Sequence, residues 1–159
     1  MHAETIDTGG SIAVLRAFGP PDVVKVDPFA GDVAAAIGAE GKWTEVKAVS
    51  FELDCAAGGG VRTPRLAWFA DDTAPFAQVL APFTIAASNA AQVTFAADVQ
   101  PAGQDNGPTI VAPLPELMLL PGWTLALDVV DGAAGDTVTN VRVYLQRYIL
   151  VDVKHLIGG

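Results

Sequence analysis

Short apolar runs alternate with clusters of Gly, Pro, Asn and Asp along the chain. Trp43–Cys55, WTEVKAVSFELDC, is the clearest run. Val49, Phe51, Leu53 and Cys55 share one parity, so a strand turns them all to one face. Val46 and Ala48 just upstream have the other parity, which predicts a bulge or twist near Ala48. Val61–Asp72 is a second strand, in which Leu66 and Trp68 alternate with Ala67 and Phe69. Its Pro64 implies an edge position or a late start to pairing. PFAQVLAPFTIAAS reads as two short strands around Ala81-Pro82, and Ala91–Asp98 as another. Val99–Pro108 is a polar loop, followed by strand segments in TIVAPLP and ELMLLPG.

The closing stretch, Leu119–Tyr148, reads as two adjacent strands. Pro121-Gly122 turns the chain. Trp123, Leu125, Leu127 and Val129 then share a face. Asp131-Gly132 and Gly135-Asp136 mark a loop. In the last strand Val141, Val143 and Leu145 share one face, and Arg142, Tyr144 and Gln146 share the other. In the first half, Asp22–Phe29 reads as a strand ending at Pro28, and Asp32–Ile37 as a strand between glycines. Ser11–Phe18 fits a strand, a helical turn or an arm. About eight to ten short strands at this spacing, with no amphipathic helix, predict a single antiparallel β-sandwich. The expected organisation is an N-terminal arm or first edge segment over 1–20, a sandwich over 21–153 and a tail over 154–159.

Composition bears on partners. Of 159 residues, 51% are hydrophobic and 17% charged, and mean hydropathy is +0.38. Alanine accounts for part of this apolar count. Either its abundance explains the count, or part of the apolar surface is covered by other subunits. The net charge of −9 argues against binding a nucleic-acid backbone, which needs clustered Lys and Arg. No stretch approaches the roughly 20 apolar residues of a membrane helix. The first ten residues lack the pattern of a secretory signal, so synthesis in the cytoplasm is expected.

Candidate chemistry is sparse. His2 and His155 lie near the termini, without metal-ligand spacing around them. The single cysteine, Cys55, sits on an apolar strand face, where a thiol ordinarily serves as a small hydrophobe rather than a nucleophile. Asp71, Asp72, Asp105, Asp131 and Asp136 fall in loops but not at calcium-loop spacing, and turn chemistry accounts for them. Gly58–Gly60 lacks the Lys and the following helix of a phosphate loop, so it reads as a strand connection. No catalytic, cofactor or metal site is predicted. Trp68, Tyr144 and Tyr148 lie in strands with Arg65, Arg142 and Arg147. On an outward face these six would anchor a protein interface, since Trp, Tyr and Arg dominate such contacts. They could also form a sugar platform, whereas Trp43 and Trp123 are expected in the core.

The run PLPELMLLPGWTLALDVVDGAAGDTVTNVRVYLQRY resembles small virion structural proteins of tailed bacteriophages. It has a Leu-Pro segment, a Pro-Gly corner with an aromatic, an alternating strand, a Gly-Asp loop and a closing strand. The upstream GKWTEVKAVSFELDCAAGGGVRTPRLAWFADD resembles the first half of such proteins, and together the likeness covers roughly Gly31 to Val151. It implies a jelly-roll-like sandwich with extended terminal arms and no enzymatic activity. Such a subunit would reside in the virion. It would assemble with itself as a symmetric homo-oligomer such as a trimer, and with major capsid or other virion proteins. Capsid decoration or cement is the role it favours. Neck or tail positions, or a carbohydrate-binding sandwich for host adsorption, are the alternatives.

Overall fold

The computed structural model describes residues 5–7, 12–26, 42–70 and 74–152. The strand expected at Asp32–Ile37, the end of the one expected at Asp22–Phe29, both histidines, Asp71, Asp72 and the C-terminal tail lie outside these residues. Eleven strands follow in chain order: β1 (Thr5–Asp7), β2 (Ile12–Ala17), β3 (Asp22–Val26), β4 (Trp43–Asp54), β5 (Thr63–Phe69), β6 (Pro75–Leu80), β7 (Ala90–Ala96), β8 (Thr109–Pro113), β9 (Met118–Leu119), β10 (Thr124–Val130) and β11 (Thr137–Asp152). They form an eight-stranded and a three-stranded sheet whose inner faces share one core. The all-β sandwich is as the alternation predicted, and Ser11–Phe18 resolves as a strand.

The two longest strands, β4 and β11, pair along most of their length and form the spine of the large sheet. Each outer side of this ribbon is shared by two shorter strands. On the β11 side, β2 takes Tyr148–Asp152 and β3 takes Val141–Leu145. On the β4 side, β7 takes Ala48–Asp54 and β9 takes Thr44–Glu45. β8 extends the sheet beyond β7, and β1 extends it beyond β2. Every pair is antiparallel except β7–β8, which is parallel. The small sheet has the order β10-β5-β6. Among the described residues, the eight-and-three division with one parallel pair is a β-sandwich in which a jelly roll is not confirmed.

The predicted irregularity in β4 is present. Tyr144 pairs with Ala48 but Leu145 pairs with Val46, so Lys47 is an extra residue in β4. The shift lets Thr44 and Val46 face inward upstream of it, and Val49, Phe51 and Leu53 downstream. Phe51 and Phe95 stack across β4 and β7 with ring centroids 6.4 Å apart. Trp68, Leu66, Leu125 and Leu127 of the small sheet close the core from the other side, with Cys55 buried at its margin.

Two expectations are corrected and one alternative is resolved. β10 and β11 are not neighbours: β10 pairs with β5 in the small sheet, and Asp131–Asp136 carries the chain across to the large one. Of the two alternatives that Pro64 raised, β5 takes the late start: it is the centre of the small sheet, and it begins at Thr63 with Pro64 next. The second half of PFAQVLAPFTIAAS contributes only an isolated bridge, Ile85 to Arg62. Its backbone is instead bound by the Val99–Pro108 loop. Asp105 Oδ1 accepts from the Thr84 amide at 2.9 Å, and Asn106 Oδ1 from the Ala86 amide at 2.7 Å. β1 and β2 belong to the large sheet.

Candidate interaction surface

The outward face of the large sheet follows from the inward one. Because Val141, Val143 and Leu145 are buried, Arg142, Tyr144 and Gln146 point away from the core. Register then aligns their neighbours. Tyr144 stands opposite Val23 on one side and Ala48 on the other. Ala48 stands opposite Ala96, and Ala96 opposite Pro113. Val23, Tyr144, Ala48, Ala96 and Pro113 therefore form one apolar row across five strands. Val23 is 45% and Tyr144 39% exposed.

Polar rows border this one. On one side lie Lys25, Arg142, Ser50 and Thr94, and beyond them Glu52 and Gln92. Gln92 Nε2 donates to Ser50 Oγ at 2.9 Å, and Asn140 Nδ2 to Glu52 Oε2 at 2.9 Å. On the other side Gln146 pairs with Glu45; although its parity is outward it is buried, and its amide donates to the Gly19 carbonyl at 3.0 Å. An apolar strip inside a hydrogen-bonded polar border is the composition of a protein contact.

The six residues expected at an interface do not form one surface. Arg142 and Tyr144 share the outer face just described. Arg65 lies on the small sheet, where its guanidinium pairs with the Asp128 carboxylate across β5 and β10, Nε to Oδ1 at 2.8 Å. Arg147 reaches Asp22 at 3.4 Å. Trp68 is a correction: it is fully buried between the sheets, because its parity follows Leu66 into the core. Tyr148 is another. It is buried and donates to Glu45 Oε2 at 2.9 Å, and burial, reinforced by that carboxylate, pushes its pKa up to about 12. Trp43 and Trp123, expected in the core, are each half-buried.

The most constrained polar site was not legible from composition. Arg62, just before β5, is fully buried. Its Nε donates to Asp136 Oδ2 at 3.0 Å and its Nη2 to Oδ1 at 2.9 Å. The carbonyls of Ala56, Gly58 and Gly60 accept its remaining donors. Asp136 also accepts from the Ala56 and Ala133 amides, each at 2.8 Å. The Arg62 guanidinium and those two amides hold the Asp136 carboxyl far below the usual carboxylate range. The glycine run thus has a function as a cradle: Gly59 sits at φ +83°, and a Cβ there would meet the Ala133 Cβ at 3.1 Å. This knot ties the β4–β5 loop to the β10–β11 crossing. With all three Arg62 nitrogens donating inside the protein and the side chain fully buried, it is a structural site.

Among the described residues, no three His, Cys, Asp or Glu side chains gather as a metal site, and no helix is long and apolar enough to cross a membrane. Comparison of the chain with protein-family models, with curated proteins and with solved structures gave no match in any of the three.

Proposed function

We propose that the chain is a non-enzymatic structural subunit of a tailed-phage particle, acting as a capsid decoration or cement protein. The observation that carries this reading is the apolar row Val23–Tyr144–Ala48–Ala96–Pro113 inside its polar border. It lies on a sheet face, which suits a broad, flat partner better than a small ligand. The resemblance of the two long sequence runs to phage virion proteins supplies the setting. The mechanism is mechanical. Each subunit lays its outer face on the shell, each contact is modest, and symmetry repeats it around the particle so that avidity provides the stability. The subunit would be made in the host cytoplasm and reside in the virion.

The sugar-platform alternative has less support. Trp68 and Tyr148 are buried, so the aromatic set it needs is dispersed. Among the described residues, exposed Phe76 and half-buried Trp123 are tilted by 57° with centroids 4.8 Å apart, so the rings pack on each other rather than present a flat stacking surface.

Co-sedimentation with empty shells of the same phage's major capsid protein tests the reading. The chain is expected to pellet with shells to a fixed saturating stoichiometry. Tyr144→Asp should weaken that binding about 30-fold, the scale of a hot-spot residue worth about 2 kcal/mol. A chain that stays in the supernatant at all shell concentrations would overturn it.

A further inference from the structure

β6 is an outer strand of the small sheet. Among the described residues it pairs only with β5, so its second edge of N–H and C=O groups has no strand partner. Such an edge templates pairing with another chain, and soluble proteins ordinarily blunt it with charge or cover. Among the described residues no strand covers this edge of β6, and beyond the Pro75 at its start the strand has no charge: from Pro75 to Pro82 the sequence is PFAQVLAP. The other outer strands carry charge or partial cover, or, like two-residue β9, are too short to template pairing. β3 holds Asp22 and Lys25, and β10 holds Asp128 in its pair with Arg65. The bridge from Ala102 to Val111 covers part of β8. β1 ends in Asp7. On a chain of net charge −9, two copies approach most favourably where neither brings charge.

We infer that β6 pairs with β6 of a second copy, antiparallel, about a two-fold axis at Gln78. A two-fold contact must be self-complementary, and an uncharged antiparallel strand satisfies this directly. The side chains choose the register. Phe76 is 47% and Leu80 48% exposed, with exposed Gln78 between them. An axis at Gln78 sets Phe76 opposite the second copy's Leu80, and Leu80 opposite its Phe76, which covers all four apolar side chains. It also sets Gln78 against its own mate, amide to amide. An axis one residue away, at Ala77 or Val79, would leave Phe76 or Leu80 facing Gln78 instead. The two small sheets then join as one continuous six-stranded sheet in the order β10-β5-β6-β6-β5-β10. The large-sheet face bearing Tyr144 remains free for the shell. A two-fold contact gives dimers rather than trimers. The inference deepens the assembly reading and rests on it for its use in a particle, but the contact is testable separately.

The test uses the full chain with Gln78→Cys and, as a control, Leu80→Cys. Facing residues of an antiparallel pair have Cα atoms roughly 4.5–5.5 Å apart, within the roughly 4.4–6.8 Å that a disulfide spans. Cys55 is buried, so it does not compete. Mild oxidation is expected to convert Q78C largely to a covalent dimer while L80C, whose mate would be Phe76, stays largely uncrosslinked. Gln78→Lys, which sets like charges face to face, should weaken dimerisation measured by light scattering about tenfold or more. Three results would overturn the contact: equal crosslinking of the two cysteine variants, a wild-type chain that is monomeric at every concentration, or an oligomer whose mass Q78K leaves unchanged. In assembled particles, Q78C crosslinking to a different virion protein would also overturn it. A β6 dimer that ignores shells would contradict the assembly reading and leave the contact standing. A monomer that binds shells would do the reverse.

Discussion

Asp136 accepts four hydrogen bonds, two from Arg62 and one each from the Ala56 and Ala133 amides. Asp136→Ala removes all four and leaves the guanidinium buried without its counter-charge, one of the few single changes that severely destabilises a domain. The expected outcome is a fall in melting temperature on the order of 10 °C by calorimetry, with Asp136→Asn intermediate. Acid should act through the same group. Its folded pKa lies below the unfolded carboxylate value, so its contribution is complete above pH ~4 and is lost as pH falls through the folded pKa. The wild type should therefore lose more stability below pH ~4 than the Asn variant, which has no proton to gain. A melting temperature unchanged in Asp136→Ala would show that the knot is not structural. The sequence named Asp136 only as a turn residue and did not single out Arg62. The two are 74 positions apart, and only the crossing between sheets brings them together.

At the scale of elements, the readable signal was parity. The flip between Val46 and Val49 located the β4 bulge because the inward residues flanking it, Val46 upstream and Val49, Phe51 and Leu53 downstream, are apolar. The second bulge, opposite Phe51, was silent. β11 gains its extra residue between Thr139 and Arg142, where Asn140 takes φ +52° in a polar stretch with no pattern to break. Asn tolerates that left-handed backbone, whereas a β-branched residue does not. Asn140→Val should cost about 1–2 kcal/mol in denaturant midpoint experiments, and Asn140→Gly much less. Equal effects of the two would remove the backbone explanation and leave the Glu52 hydrogen bond as the cause. The β10–β11 error has a similar origin. A hairpin within one sheet and a crossing between two sheets use the same alternation and the same Asp-Gly loop residues, so the local pattern could not separate them.

For the whole molecule, alternation fixed the fold class, but strand order set the surface, and strand order is not written in local pattern. The outward parity of Arg142 and Tyr144 was correct. That Val23, Ala48, Ala96 and Pro113 join Tyr144 in one row depends on which strands lie side by side. Trp68 was misplaced because hot-spot composition and core composition overlap in aromatic residues. The resulting body has a large sheet whose apolar row is suited to a flat partner and a small sheet whose uncharged edge is suited to its own copy. The proposed cement role requires that the chain raise the heat its shell withstands. Calorimetry of empty capsid shells, titrated with the chain, measures that directly. The shell's melting transition is expected to move upward with added chain until sites saturate, and the Tyr144→Asp variant should lose most of the shift. A shell transition that does not move at any concentration of the wild-type chain would contradict the account.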